Sequence, residues 1–97
     1  MKAFYSDTFV LPLPEISDPA SLAARIAATA AAANVLRVKG FAAVTGKPMR
    51  LLVQAVGPRV SHHYDRAWTV AEGRKGRLVV IGLKGLDRDR VTRALLG

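Results

Sequence analysis

Apolar positions along the chain alternate between two periods. Phe4 to Leu13 (FYSDTFVLPL) carries aromatic and β-branched side chains and stops at Pro12, Pro14 and Glu15, as an extended strand does. At Ser17-Asp18-Pro19 the period lengthens. Asp18 suits a helix N-cap, and Pro19 sits where a missing N–H costs nothing. Leu22 and Ile26, with Ala23, Ala27, Ala30 and Ala33, then form a narrow helix face that can approach a sheet closely, and Asn34 is its stop.

VLRVKGFAAV and MRLLVQAV, joined by Thr45-Gly46-Lys47-Pro48, predict a β-hairpin. With Val44 opposite Met49, a period of two sends Leu36, Val38, Ala42, Leu51, Val53 and Ala55 to a core face. Arg37, Lys39, Phe41, Arg50 and Gln54 go to the other face, with Leu52 opposite Phe41. After Gly57-Pro58, VSHHYDRAW predicts a short irregular strand, and a polar loop follows at Glu72-Gly73-Arg74-Lys75-Gly76. RLVVIGL (Arg77 to Leu83) is a continuous apolar run, which predicts a central strand buried on both faces. Asp87 suits the N-cap of a last helix through Leu95 and Leu96, with Leu86 placed to staple against Val91. The order β-α-β-β-(β)-β-α predicts an α+β fold: one mainly antiparallel sheet with two helices packed on one face, forming a single domain over residues 1–97.

Composition narrows what such a domain can do. At 97 residues there is room for one core, and 51% hydrophobic with 23% charged residues is a folding composition. The absence of cysteine removes disulfides, thiolate nucleophiles and thiolate metal sites. Ser6, Asp7 and Thr8 interrupt any apolar leader near the start, and the run from Ile26 to Leu36 is far shorter than the ~20 residues that span a bilayer. The expectation is a cytoplasmic protein with no membrane contact. A net charge of +8, from 15 Lys+Arg against 7 Asp+Glu, attracts polyanions without choosing among them.

No catalytic constellation assembles, and no cofactor is implied. Ser6, Ser17, Ser21 and Ser61 lack a nucleophile-elbow context, acidic residues sit where caps are needed, and there is no G-x-x-x-x-G-K-[ST] loop. His62 and His63 are adjacent in an extended segment, so they point to opposite faces; even with Asp65 nearby they fall short of the four ligands that structural zinc takes. We assign no metal site to them. Lys39-Gly40-Phe41-Ala42-Ala43-Val44 partly matches the signature strand of RNA-recognition domains. Ala43 and Gly46 stand where stacking aromatics belong, and the segment leads into a hairpin and not a helix. A small basic RNA- or polyanion-binding domain is therefore the alternative reading, with nucleic acid disfavoured.

Four blocks taken together, VLRVKGF, RLLVQAVGPRV, Tyr64-Asp65-Arg66-Ala67-Trp68 and RLVVIGLKGLD, resemble the C-terminal domain of the CobW-type GTPases, a family of metal chaperones and cobalamin-biosynthesis proteins. The resemblance runs from about Phe9 to Leu96. Arg37, Lys39 and Gly40 match its R-x-K-G block, Gln54 and Gly57 its Q-x-V-G block, and Trp68 the aromatic that follows Arg66. It implies a non-catalytic module for partner recognition or regulation, whose partners are a P-loop GTPase domain, in cis or in trans, and a metal-receiving client protein. A homo-oligomer is also open. Neither the GTPase domain nor its cysteine-containing metal motif is in this sequence, so the chain is expected to be either a domain taken from a longer protein or a module encoded alone.

The proposed register gives the matched positions a physical meaning. Lys39 and Gln54 become cross-strand neighbours with Arg37 two residues along, and Gly40 falls opposite Val53, where a missing side chain would let a helix pack close. Phe41 and Leu52 form an apolar pair rimmed by charge, as at the centre of a docking surface. The candidate partner-binding residues are Arg37, Lys39, Phe41, Arg50, Leu52 and Gln54.

Overall fold

The computed structural model describes residues 6–97. Its elements run β1 (Ser6–Leu13), α1 (Pro19–Ala32), β2 (Val35–Ala42), β3 (Met49–Val56), β4 (Arg59–Ala67), β5 (Gly76–Leu83) and α2 (Arg88–Leu96). This is the predicted order, with the irregular strand present as β4. Phe4 and Tyr5, expected in the first strand, lie outside the described residues.

Local chemistry sets the helix ends. Asp18 accepts from the Ala20 N–H at 3.0 Å with Pro19 opening α1, and Asn34 adopts φ 59° just beyond its end, a left-handed conformation that asparagine tolerates better than most residues. Asp87 accepts from the Arg90 N–H at 3.1 Å and caps α2. Arg25 of α1 donates to the Leu95 carbonyl of α2 at 3.0 Å, which joins the two helices.

The strands form one antiparallel sheet in the order β1-β5-β2-β3-β4. The β2–β3 ladder has the predicted register, with Lys39 opposite Gln54, Gly40 opposite Val53 and Phe41 opposite Leu52. It ends at Ala42 and Leu51; Val44 does not face Met49 but forms a parallel bridge with Ile16. That bridge, with the Ile16 N–H bonded to the Ala43 carbonyl at 2.9 Å, ties the β1–α1 connection to the hairpin turn.

Both helices lie on one side of the sheet, over Phe9, Leu11 and Leu13 of β1, Leu78 and Val80 of β5, Val38 and Ala42 of β2, and Leu51, Val53 and Ala55 of β3. Leu22 and Ile26 of α1 and Val91 and Leu95 of α2 complete this core.

Three further expectations are corrected. A bulge between Val35 and Arg37 shifts the start of β2, so Val35 enters the core and Leu36, expected there, is 45% exposed. Gly40 is crowded by strand and not by helix: a Cβ there would collide with the Arg77 carbonyl and lie 2.8 Å from the Leu78 Cα of β5. Finally, β5 is buried on one face only. Gly76, Leu78, Val80 and Gly82 are buried, whereas Val79 and Ile81 are half-exposed and Arg77 and Leu83 exposed, because both helices cover the same side.

Candidate partner-docking face

The uncovered face of the sheet follows from the strand register. β2 contributes Arg37, Lys39 and Phe41, β3 contributes Arg50, Leu52 and Gln54, β5 contributes Arg77, Val79 and Ile81, and β1 contributes Val10 and Pro12. All six residues singled out from the sequence therefore lie on one surface. Lys39 and Arg37 are exposed, while Phe41, Arg50, Leu52 and Gln54 are half-buried among their neighbours.

Where β2 and β5 meet, this surface dips into a groove of about 340 Å³ lined by Arg37, Lys39, Gly40, Phe41, Arg77, Val79 and Ile81. Its floor is aliphatic and aromatic; its rim is cationic. Val79 and Ile81 were not among the sequence candidates, because a continuous apolar run does not reveal which of its residues face an uncovered side. Alternation within LVVI was the available signal, and it becomes readable only once β5 is known to pair with β2. A second concavity on the same face is lined by Val10, Pro12, Phe41, Trp68 and the side chains of a charged cluster beside them. The Trp68 indole N–H is buried there without an acceptor among the described residues.

Arg50 differs from the other basic candidates. Its guanidinium lies 3.5 Å from the centre of the Phe41 ring, a cation–π contact. It also donates to Asp65 from Nε and Nη2, the shorter contact 2.7 Å, and reaches Glu72 at 3.2 Å through Nη1. Arg66 binds Glu72 through both terminal nitrogens, at 2.9 and 2.7 Å. The hydrogen bond from Arg50 holds the Asp65 carboxyl below its usual range, and the Arg66 guanidinium with the Thr69 N–H lowers that of Glu72 to about 2. Arg50 is thus a clamp that fixes Phe41, β4 and the turn after it; Arg37, Lys39 and Arg77 carry the rim charge.

His62 lies opposite Val53 and His63 opposite Leu52, so the two rings project to opposite faces of β4. Among the described residues no group of three or more His, Cys, Asp or Glu is placed to hold a metal ion. No helix among them is long and apolar enough to cross a membrane.

An antiparallel sheet with two helices on one side and an apolar, cation-rimmed surface on the other defines an open-faced α+β module. Residues 6–97 match the family described as the cobalamin synthesis protein cobW C-terminal domain, and the chain belongs to that family. It is 53% identical over 89 residues to a zinc chaperone CobW from Sinorhizobium, covering 92% of this chain and 25% of the relative. It is 47% identical over 88 residues to a zinc chaperone CobW from Pseudomonas aeruginosa, covering 91% of this chain and 23% of the relative. Among solved structures, the Zn(II)-bound YjiA GTPase from E. coli superposes with a TM-score of 0.72 at 27% identity, over 92% of this chain and 28% of that one. The chain spans about a quarter of the length of these relatives.

Proposed function

We propose that this domain is the non-catalytic partner-recognition module of a GTP-dependent zinc chaperone, and that its open sheet face docks the P-loop GTPase domain. The observation that carries this reading is the groove of Phe41, Val79 and Ile81, rimmed by Arg37, Lys39 and Arg77, on a face that no described element covers. A sheet strand made of consecutive apolar residues is at home under a second layer, and β5 has that composition with only one layer present among the described residues. The similarity to the YjiA GTPase, of which this chain spans about a quarter, supports a GTPase domain as the second layer. Zinc is then cargo handled by the rest of the assembly and passed to a client protein, with this domain setting which surfaces meet.

The groove binds by excluding water from its aliphatic floor, while the cationic rim orients an acidic partner surface and speeds encounter. A polyanion reading uses only the rim and leaves the floor without a purpose. The two separate experimentally. Calorimetric titration of this chain with the P-loop domain of a CobW zinc chaperone is expected to show an affinity that survives raised salt and is lost in Ile81→Asp. Binding of RNA with an affinity that collapses with salt, unaffected by Ile81→Asp, would overturn the docking reading in favour of the polyanion one.

A further inference from the structure

β4 forms one edge of the sheet, and no other described strand pairs with its outer side. Which of its backbone groups face outward follows from the hydrogen bonds. The Gly57 N–H bonds the Leu36 carbonyl at 2.9 Å, so Leu51, Val53 and Ala55 of β3, which share its parity, turn their backbone groups to β2. Leu52, Gln54 and Val56 therefore turn theirs to β4, where they meet His63, Ser61 and Arg59. The N–H and C=O groups of Val60, His62 and Tyr64 are left pointing away from the sheet. Natural edges are commonly blunted by proline, shortness or a bulge; β4 has no proline between Arg59 and Ala67, is nine residues long, and keeps a regular register from Arg59 to Tyr64, its bulge coming only at Asp65.

We infer that this edge pairs antiparallel with β4 of a second copy of the chain, about a two-fold axis through His62. Three registers match at least two of these outward residues to one another: those centred on Ser61, His62 or His63. Centring on His62 places Arg59 of each copy opposite Asp65 of the other, and Val60 opposite Tyr64. Centring on Ser61 sets Arg59 against His63, and centring on His63 sets Val60 against Arg66. The His62-centred register alone is charge-complementary to itself, and symmetry supplies the ion pair twice.

The side chains suit this role. The Arg59 side chain is exposed and makes no hydrogen bond or ion pair among the described residues. Asp65 stands at the bulge where β4 shifts register against β3, and its contacts with Arg50 place its carboxylate on the open face, the side to which Arg59 also points. Its bonds to Arg50 and to the Arg66 N–H leave a carboxylate with capacity for another donor. Val60, half-buried at the margin of the core, would be covered by the incoming Tyr64, itself 38% exposed. The result is a continuous sheet across two copies, with both helical layers on one side and both grooves on the other. This pairing uses the rim of the sheet and leaves the β2–β5 groove free, so it is independent of what docks there.

The chain lacks cysteine, so a single introduced thiol reads the register. Under mild oxidation His62→Cys is expected to cross-link into a dimer of twice 10.4 kDa, while Ser61→Cys and His63→Cys stay largely monomeric. Analytical ultracentrifugation should show a concentration-dependent dimer of the unaltered chain, weakened about tenfold by Arg59→Glu. His62→Pro should abolish it with the circular dichroism of the fold retained, because that N–H bonds nothing within the chain. A chain that stays monomeric at millimolar concentration, or cross-linking at residue 61 or 63 with residue 62 silent, would overturn the inference. So would an edge that captures a strand of another protein but not its own copy.

Discussion

The two faces of this sheet are built from neighbouring residues of the same strands, yet they answer to different constraints. On the helix-covered face Leu78, Val80, Val38 and Val53 are at most 1% exposed, and each meets side chains of other strands or of the helices. On the open face Val79, Ile81, Phe41 and Leu52 alternate with them along the same backbone and stay half-exposed, while Val10 is 47% exposed. Aliphatic composition alone does not separate the faces; what separates them is the second layer, which among the described residues is present on one side and not on the other. The open face also concentrates cations, with Arg37, Lys39 and Arg77 around the groove. A side that needed only to be wetted would not keep valine and isoleucine at its centre. The covered face serves stability, and the apolar content of the open face supports the proposal that it serves association.

That assignment can be broken at several levels. Leu78→Ala, at a site with no exposure, should destabilise the chain by about 2–5 kcal/mol in urea denaturation, while Ile81→Ala, three residues on and facing outward, should cost about 1 kcal/mol or less. Equal losses would mean that the open face also contributes a core. Gly40→Ala should cost about 3 kcal/mol, because its new methyl group must displace the backbone of β5 and not a movable side chain. A neutral outcome would show that β2 and β5 approach less closely than described.

Association is expected to follow the opposite map. Phe41→Ala should weaken docking of the GTPase domain by about 2 kcal/mol in calorimetry, part of it through release of the Arg50 guanidinium that rests on the ring. Unchanged affinity in a folded variant would remove Phe41 from the interface. The charged cluster beside it should give an acid-sensitive signature. Glu72 titrates at about 2 in the folded chain against an ordinary value near 4.5, so its contribution is fully present above the ordinary value and is lost as pH falls towards 2. Thermal unfolding followed across that window should show a loss that Glu72→Gln diminishes; an identical acid profile in the variant would place the loss elsewhere. The smallest effect belongs to Lys39→Ala, an exposed rim charge that should slow association at low salt and change stability by less than ~0.5 kcal/mol.

Much of this arrangement was legible in the sequence because half of it is local. The β2–β3 register follows from two runs with a strict period of two joined by turn residues, and it placed Arg37, Lys39, Phe41, Arg50, Leu52 and Gln54 on one face as observed. Both helix N-caps were legible because Asp18 and Asp87 act within three residues of themselves. The rest depended on distant pairing. Val79 and Ile81 join the groove only because β5 lies between β1 and β2, which no local pattern announces. Leu36 was misplaced because a bulge resets the period without any glycine or proline to mark it. Arg50 resembled its neighbours Arg37 and Lys39 in sequence, and its different role is set by Asp65 and Glu72 across β4 and the turn.

If association uses the open face as proposed, with the helical face already satisfied, side-chain methyl resonances separate the two directly. Methyl spectra of this chain should be recorded as the P-loop domain of a CobW zinc chaperone is added. Shifts are expected at Val79, Ile81 and Leu52, with Leu22, Ile26 and Val91 unmoved. Shifts centred on Leu22, Ile26 and Val91, with Val79 and Ile81 silent, would contradict the proposal.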